Sequence, residues 1–454
     1  LRFSLDVLEA IRGAVGREFI VGARVSGDDR LPGGLSPEEL LEIIQRLDRT
    51  EQLDYFTVTG GTISTFRSRG WNIPSAYYGL GTFVTLAGRI RSTVNTPVIV
   101  TGRIVTPAQA EQVLKSGAAD LVGMTRALIA DPDLPTKARN QQPEQIRVCM
   151  GSNEGCIDRL YFGLPIGCVQ NPVVGREQSW GNLTPATKPR HIVVIGGGPA
   201  GMETARVAAS RQHQVTLLER DNKLGGAIQI VARASGWESY LQCVTWLKNQ
   251  LQDLEIDIRL ETDATTNLIC SLSPDAVVVA TGAEPRRPNL AGANLPHVVT
   301  VSDILSGSAN PSGRCVILDE TGYTPGATTA DTLSQLGYDV EIVTRQYALG
   351  EDIGTTVRAV LHERLLRTGV RITTLHTPVE ITTSGVRLMH VLTDEERFIE
   401  ADTVVLSSSG IGRDALHREL GEGNNYELHL IGDAFAPRHL RHAMVDGART
   451  GRAL

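Results

Sequence analysis

Three cysteines, Cys149, Cys156 and Cys168, fall within the stretch CMGSNEGCIDRLYFGLPIGC, a little upstream of the glycine loop IGGGPAG at 195–201. Soft thiolates suit iron–sulfur clusters and zinc, and glycine loops of this type serve dinucleotides. Both are electron-handling devices, so their juxtaposition points to a redox protein that moves electrons between bound centres. Ser152 stands where a fourth cysteine would complete a cluster spacing. A serine alkoxide is harder and far more basic than a thiolate, so the fourth bond would be poorer. The expected centre is a 4Fe–4S cluster with a weak fourth ligand at Ser152, or a 3Fe–4S cluster. The competing reading is three buried cysteines that pack as small hydrophobes.

Gly196, Gly198 and Gly201 follow an apolar strand at 191–195 and precede a helical pattern. The first glycine permits the tight turn, the second lets a pyrophosphate approach the backbone, and the third allows close helix–strand packing. The helix N-terminus adds N–H donors and a positive dipole end. Glu219 ends the next strand, placed to accept from ribose hydroxyls. Ala280-Thr281-Gly282 and Ile431-Gly432-Asp433 resemble the ATG and GD motifs of two-dinucleotide flavoprotein reductases, which implies FAD, with Asp433 on its ribityl or pyrophosphate region. Gly226, Ala227 and Gly282 are further expected contacts of this cofactor. A second strand–turn–strand unit begins at 314, but DETGYTPGATTADTL at 319–333 keeps Gly322 and Gly326 without a regular glycine pattern, and SSSG at 407–410 replaces the expected ATG. Arg345 follows its second strand, where it either accommodates a 2′-phosphate or is a solvated surface residue. NAD(P)H is the cofactor expected of this unit.

These motifs need a scaffold of two or three domains, which 454 residues allow. The composition is 41% hydrophobic and 21% charged, that of an ordinary globular protein. A net charge of −7 argues against nucleic acid as a partner. No apolar run approaches a membrane span, no signal peptide is legible, and six cysteines in so long a chain do not make a disulfide framework. The expected compartment is the cytoplasm. Strand candidates at 19–25, 54–60, 97–103 and 120–124 alternate with helical patterns, such as 36–47 after Ser36 and Pro37, and 106–117 after Thr106. This βα repetition gives a parallel sheet. Four such units are half of a (β/α)8 barrel, or else a small open α/β sheet. The chain opens on Leu1 rather than methionine and its first region reads as a fragment. The expected boundaries are 1–145 for the partial barrel, 146–188 for the cysteine segment and linker, 189–300 with 411–454 for an FAD-binding Rossmann-like domain, and 301–410 for an inserted NAD(P)-like domain.

The order of these parts, with GARVSGDD, PVIVTGRI, ADLVGMTRALIADPDLPTKA, the cysteine segment through CVQNPVVGRE, and IGGGPAG, resembles the multidomain branch of the Old Yellow Enzyme family, which includes 2,4-dienoyl-CoA reductase and trimethylamine dehydrogenase. The resemblance implies FMN in the barrel, a four-iron cluster at its edge, and FAD or ADP in the C-terminal part. It places Arg24 at the flavin pyrimidine edge, and Gly102, Arg103, Gly123 and Arg126 at the FMN phosphate. It implies NAD(P)H-linked reduction of an activated alkene, or oxidation of an N-methyl amine, on a small-molecule substrate. The segment 60–83 is expected to be a long loop at the substrate mouth, with Arg67, Tyr77 and Tyr78 as contacts. It lacks the histidine of the dienoyl-CoA reductase relay, which leans the reading toward amines. The family's first four barrel strands and its usual catalytic tyrosine are absent from this chain. A homo-oligomer or a partner chain would then complete the barrel, and the alternative is a non-catalytic FAD-binding electron-transfer subunit or a truncated inactive relative.

Overall fold

The computed structural model describes residues 1–421 and 425–454. They form two compact units: residues 1–153 with 355–360, and residues 154–354 with 361–454.

The first unit is built on a parallel sheet whose strands Gly22–Ser26, Tyr55–Thr59, Val98–Val100 and Leu121–Val122 lie in chain order. Chain order in a parallel sheet requires a crossover after each strand, and the helices Pro37–Asp48, Val84–Arg91 and Pro107–Lys115 supply it. Local chemistry starts them where the sequence predicts. Ser36 accepts from the Glu39 N–H while the Glu39 carboxylate accepts from the Ser36 N–H, a closed capping box. Thr106 caps the third helix through the Gln109 N–H. Phe56, Val58, Phe83, Val98 and Val100 form the core, all at 0–1% exposure. Among the described residues the strands Gly22–Ser26 and Leu121–Val122 pair on one side only.

Residues 60–83, expected as one long loop, are not a continuous loop. They contain a helix, Phe66–Asn72, capped by Thr65 accepting from the Ser68 N–H. Its seven residues are too few to leave an apolar period in the sequence.

The second unit carries two five-stranded parallel sheets. In the first the order is Glu427–Leu430, Ala276–Val279, His191–Ile195, Gln214–Leu218, Asp257–Arg259; in the second it is Val298–Thr300, Thr403–Ser407, Arg314–Asp319, Asp339–Thr344, Arg371–Thr373. Their central strands are almost wholly buried and rich in Val, Ile and Leu, as sheets covered on both faces demand. A three-stranded antiparallel meander, His376–Thr382, Gly385–His390 and Glu396–Glu400, follows the second sheet's last parallel strand. Among the described residues no helix is long and apolar enough to cross a membrane.

Candidate functional site

In the first unit the C-terminal ends of the third and fourth strands gather the expected glycines and arginines. Gly102 has φ +98, and a Cβ there would stand 2.5 Å from the Phe83 ring. A Cβ at Gly123 would meet the Thr101 methyl at 2.8 Å. Only glycine lets the chain pass at either place. Arg103 is buried, and its Nη1 donates to the carbonyls of Ala76, at 2.9 Å, and Tyr78. Its Nε has no hydrogen-bond partner. Arg126 donates from Nη1 to Pro74 O (2.8 Å) and to Asn153 Oδ1 (2.7 Å). Burial, and then the Arg126 charge, push Arg103 down to about 10, offset in part by the Cys149 sulfur. Neither guanidinium has a carboxylate partner among the described residues. Two close cations without an acid form a site for an anion, and Arg–phosphate pairing is the strong, bidentate form of that contact. The geometry therefore suits an FMN phosphate. Arg24 stands apart from this pair on the edge strand, exposed, with Nη2 at 3.3 Å from Thr59 Oγ1.

Asn153 is a residue that sequence reasoning missed. It is 2% exposed, has φ +61, and donates from Nδ2 to Ile73 O and Thr356 Oγ1 while its Oδ1 holds Arg126. Its one legible signal is an asparagine directly after the Gly151-Ser152 pair, since asparagine tolerates the left-handed region.

In the second unit the glycine loop 195–201 is drawn tight from several directions. A Cβ at Gly196 (φ +107) would meet Ala280 O at 2.4 Å, and one at Gly201 would meet Gly196 O at 1.9 Å. At Gly198, by contrast, nothing lies within 4 Å of that position. The Glu219 carboxylate accepts from the Gly197 N–H at 2.6 Å and from the Asp221 N–H at 2.8 Å. Gly226 backs onto the loop, its Cβ position 3.1 Å from Gly198 Cα, and Ala227 beside it is exposed. Gly282 accepts from the Arg413 N–H, at the end of the strand that closes on Gly196. A Cβ at Gly432 would meet Ala200 Cβ at 2.8 Å, which sets Asp433 beside the helix Pro199–Ser210. Burial pushes the Asp433 carboxyl up, against the Arg438 N–H it accepts and the nearby Arg438 and His439 charges. Open space at Gly198, with Gly226 behind it and Glu219 bonded to the adjacent Gly197 of the loop, suits the pyrophosphate of FAD.

The inserted sheet differs. Asp319, at 3% exposure, turns its carboxylate into its own loop, where Oδ1 accepts from Thr321 N, Thr321 Oγ1 and Ser407 Oγ. These groups do not fit a pyrophosphate. Arg345 is exposed, one residue past the strand Asp339–Thr344.

The cysteines divide between the units, with Cys149 and Ser152 in the first and Cys156 and Cys168 in the second. Within the second, a Cβ at Gly155 would stand 2.9 Å from Cys168 Cα, and Gly155 O accepts from Gly167 N at 2.8 Å, so the absence of a side chain lets the Cys156 turn close on Cys168. Among the described residues no set of three or more His, Cys, Asp or Glu side chains is disposed to hold a metal ion. Another group unforeseen from sequence stands nearby in this unit: His439 lies 3.5 Å from the Glu154 carboxylate and packs edge-on against Tyr323.

Residues 1–145 match the model of the NADH:flavin oxidoreductase / NADH oxidase family, and residues 190–428 match the pyridine nucleotide-disulphide oxidoreductase model. The chain belongs to this family of flavin oxidoreductases. It is 37% identical over 414 residues to the N,N-dimethylglycine/sarcosine dehydrogenase of Chromohalobacter salexigens, covering 89% of this chain and 60% of that protein. It is 33% identical to the metal reductase of Desulforamulus reducens, covering 98% of this chain and 70% of that one. A 2-naphthoyl-CoA reductase in complex with 2-naphthoyl-CoA superposes with a TM-score of 0.93 at 29% identity, over 100% of this chain and 68% of that chain. The chain thus spans 60–70% of the length of these relatives. Its first unit is half of a (β/α)8 barrel, and its second carries paired Rossmann-type sheets.

Proposed function

We propose that the chain is the electron-transfer and phosphate-binding part of a flavin-dependent oxidoreductase that oxidises an N-methyl amine. Two observations carry the flavin reading: a carboxylate-free pair of cations at Arg103 and Arg126, and an open glycine turn at Gly198. Arg24, Gly102, Arg103, Gly123 and Arg126 would hold FMN. Gly196, Gly198, Gly201, Glu219, Gly226, Ala227, Gly282 and Asp433 would hold FAD. Cys149, Cys156 and Cys168, with Ser152, would hold an iron–sulfur cluster. Bound flavins supply the hydride and single-electron chemistry. The chain's own contribution is position and charge. A guanidinium beside a flavin stabilises negative charge on the reduced ring, and the buried Arg103 and Asn153 fix the loops that carry the phosphate donors.

The amine reading is favoured by the absence of histidine from 60–83 and by the dehydrogenase named above. The second reading, NAD(P)H-linked alkene reduction, draws on the likeness to the 2-naphthoyl-CoA reductase. The one-sided edge strands are compatible with a partner chain or a second copy that completes the barrel.

Acid release of the cofactors from the purified chain, with chromatography of the flavins and an iron assay, tests this. FMN, FAD and iron together are expected. FAD alone would replace the proposal with an electron-transfer subunit, and no flavin at all would end it.

A further inference from the structure

The two glycine turns of the second unit are internal controls for each other. The first leaves room at Gly198, and its acid, Glu219, comes from the neighbouring strand and accepts from the Gly197 N–H. At the second, the strand Arg314–Asp319 itself ends in an acid, which folds back over the turn. Asp319 Oδ1 takes the Thr321 N–H at 3.2 Å, the Thr321 hydroxyl at 2.8 Å and the Ser407 hydroxyl at 3.1 Å. It also lies against the first turn of the helix Thr324–Gln335, 3.0 Å from where a Gly326 Cβ would stand. The donors and the positive helix end that would receive a phosphate already face a carboxylate. Asp319 Oδ2 is buried without a hydrogen-bond partner.

Two further groups cover the same turn. A Cβ at Gly322 would stand 1.9 Å from Gln346 Nε2, so this side chain occupies the space that a glycine normally leaves for pyrophosphate. The Gly322 carbonyl accepts from the Asp352 N–H at 3.1 Å, which ties a neighbouring loop across it. An exposed Arg345 does not reopen the turn, because a 2′-phosphate contact anchors only the adenosine end of a dinucleotide.

We propose that the inserted unit does not take the pyrophosphate of NADH or NADPH, because Asp319 and Gln346 fill its phosphate cradle from within. This rests on the flavin oxidoreductase reading and deepens it, favouring the amine-oxidising reaction over the NAD(P)H-linked one.

The test is titration calorimetry of NADH and of NADPH into the full chain carrying its flavins, with the first turn occupied by FAD. Dissociation constants weaker than about 1 mM are expected for both. Asp319→Ala, and separately Gln346→Ala should Asp319→Ala not fold by its melting curve, are expected to tighten NADPH at least about tenfold. A wild-type constant below about 100 μM, or no gain in a folded variant, overturns the proposal. Flavin content of the same sample keeps the two claims apart: flavin-loaded protein that binds NADPH tightly overturns only this inference, whereas protein without flavin overturns the reading beneath it.

Discussion

Arg126 acts on Arg103 as a like charge: burial and the neighbouring guanidinium together lower Arg103 to about 10. Among the described residues only the Cys149 sulfur repays this, and in part, since both side chains otherwise bond carbonyl oxygens and an amide. An anion between or beside them would repay the rest. Arg126→Gln is therefore expected to weaken FMN by about tenfold to a hundredfold, the range of a lost charge-assisted contact, with FAD content unchanged. FMN at about a hundred times Kd should stabilise the native protein by about 2.7 kcal/mol, and the variant should lose about 1.3 to 2.3 kcal/mol of that at the same concentration. An unaltered FMN:FAD ratio in the variant would remove Arg126 from the site.

Gly198 and Gly201 lie three residues apart and predict opposite behaviour. A Cβ at Gly198, whose φ is −76, meets nothing, so Gly198→Ala should leave the melting temperature unchanged while lowering FAD retention, because the methyl enters the space kept for the cofactor. A Cβ at Gly201 meets Gly196 O at 1.9 Å, so Gly201→Ala should cost about 1–3 kcal/mol of stability from overpacking as well as FAD. Equal melting temperatures for the two variants would contradict this.

The parts legible in the sequence are those set by neighbours along the chain. Ser36, Pro37 and Glu39 start a helix by local hydrogen bonds, and the glycines of 196–201 announce a turn because no other residue fits it. The third and fourth strands, after which Arg103 and Arg126 come, follow from βα periodicity. What escaped depends on contacts between distant segments. The grip of Asn153 on Arg126 joins residues far apart in sequence, as does the meeting of Glu154 with His439. Asp319 reads as an ordinary strand end until Ser407 and Gln346 are seen to share its turn.

Glu341 is an acid without any exposure in the inserted sheet, bonded to Arg314 at 2.7 Å, Thr373 at 2.7 Å and Arg371 at 3.3 Å. Burial alone would raise its carboxyl; the bonds from Thr373, Arg314 and Arg371 and the Arg397 charge outweigh that and hold it below the ordinary carboxylate value of 4.5. An acid whose folded value is depressed contributes stability above the unfolded value and loses it as pH falls through the folded one. Glu341→Gln should cost about 1.5–3 kcal/mol at neutral pH, measured by urea unfolding. The gap from the wild type should narrow below about pH 4.5. A gap that widens in acid would show the carboxyl titrating in the other direction.

Ser152 decides what kind of cluster the cysteine segment would hold. It sits between Gly151 (φ +78) and Asn153 (φ +61), so a tight turn fixes its place by backbone geometry rather than by its own side chain. Ser152→Cys exchanges one atom in a half-buried position and should leave the fold intact. A thiolate is the better ligand for iron, and cluster potential follows ligand and charge. If the wild type holds three irons for want of a fourth thiolate, the variant should gain about one iron per chain after anaerobic reconstitution, with a four-iron signal in place of a three-iron one in electron paramagnetic resonance. That gain is the expected outcome. An unchanged count with a shifted potential would mean that the alkoxide already closes a four-iron cluster. Cys156→Ala is the control that exposes the whole assignment: a variant that keeps wild-type iron would show that these cysteines are not its ligands.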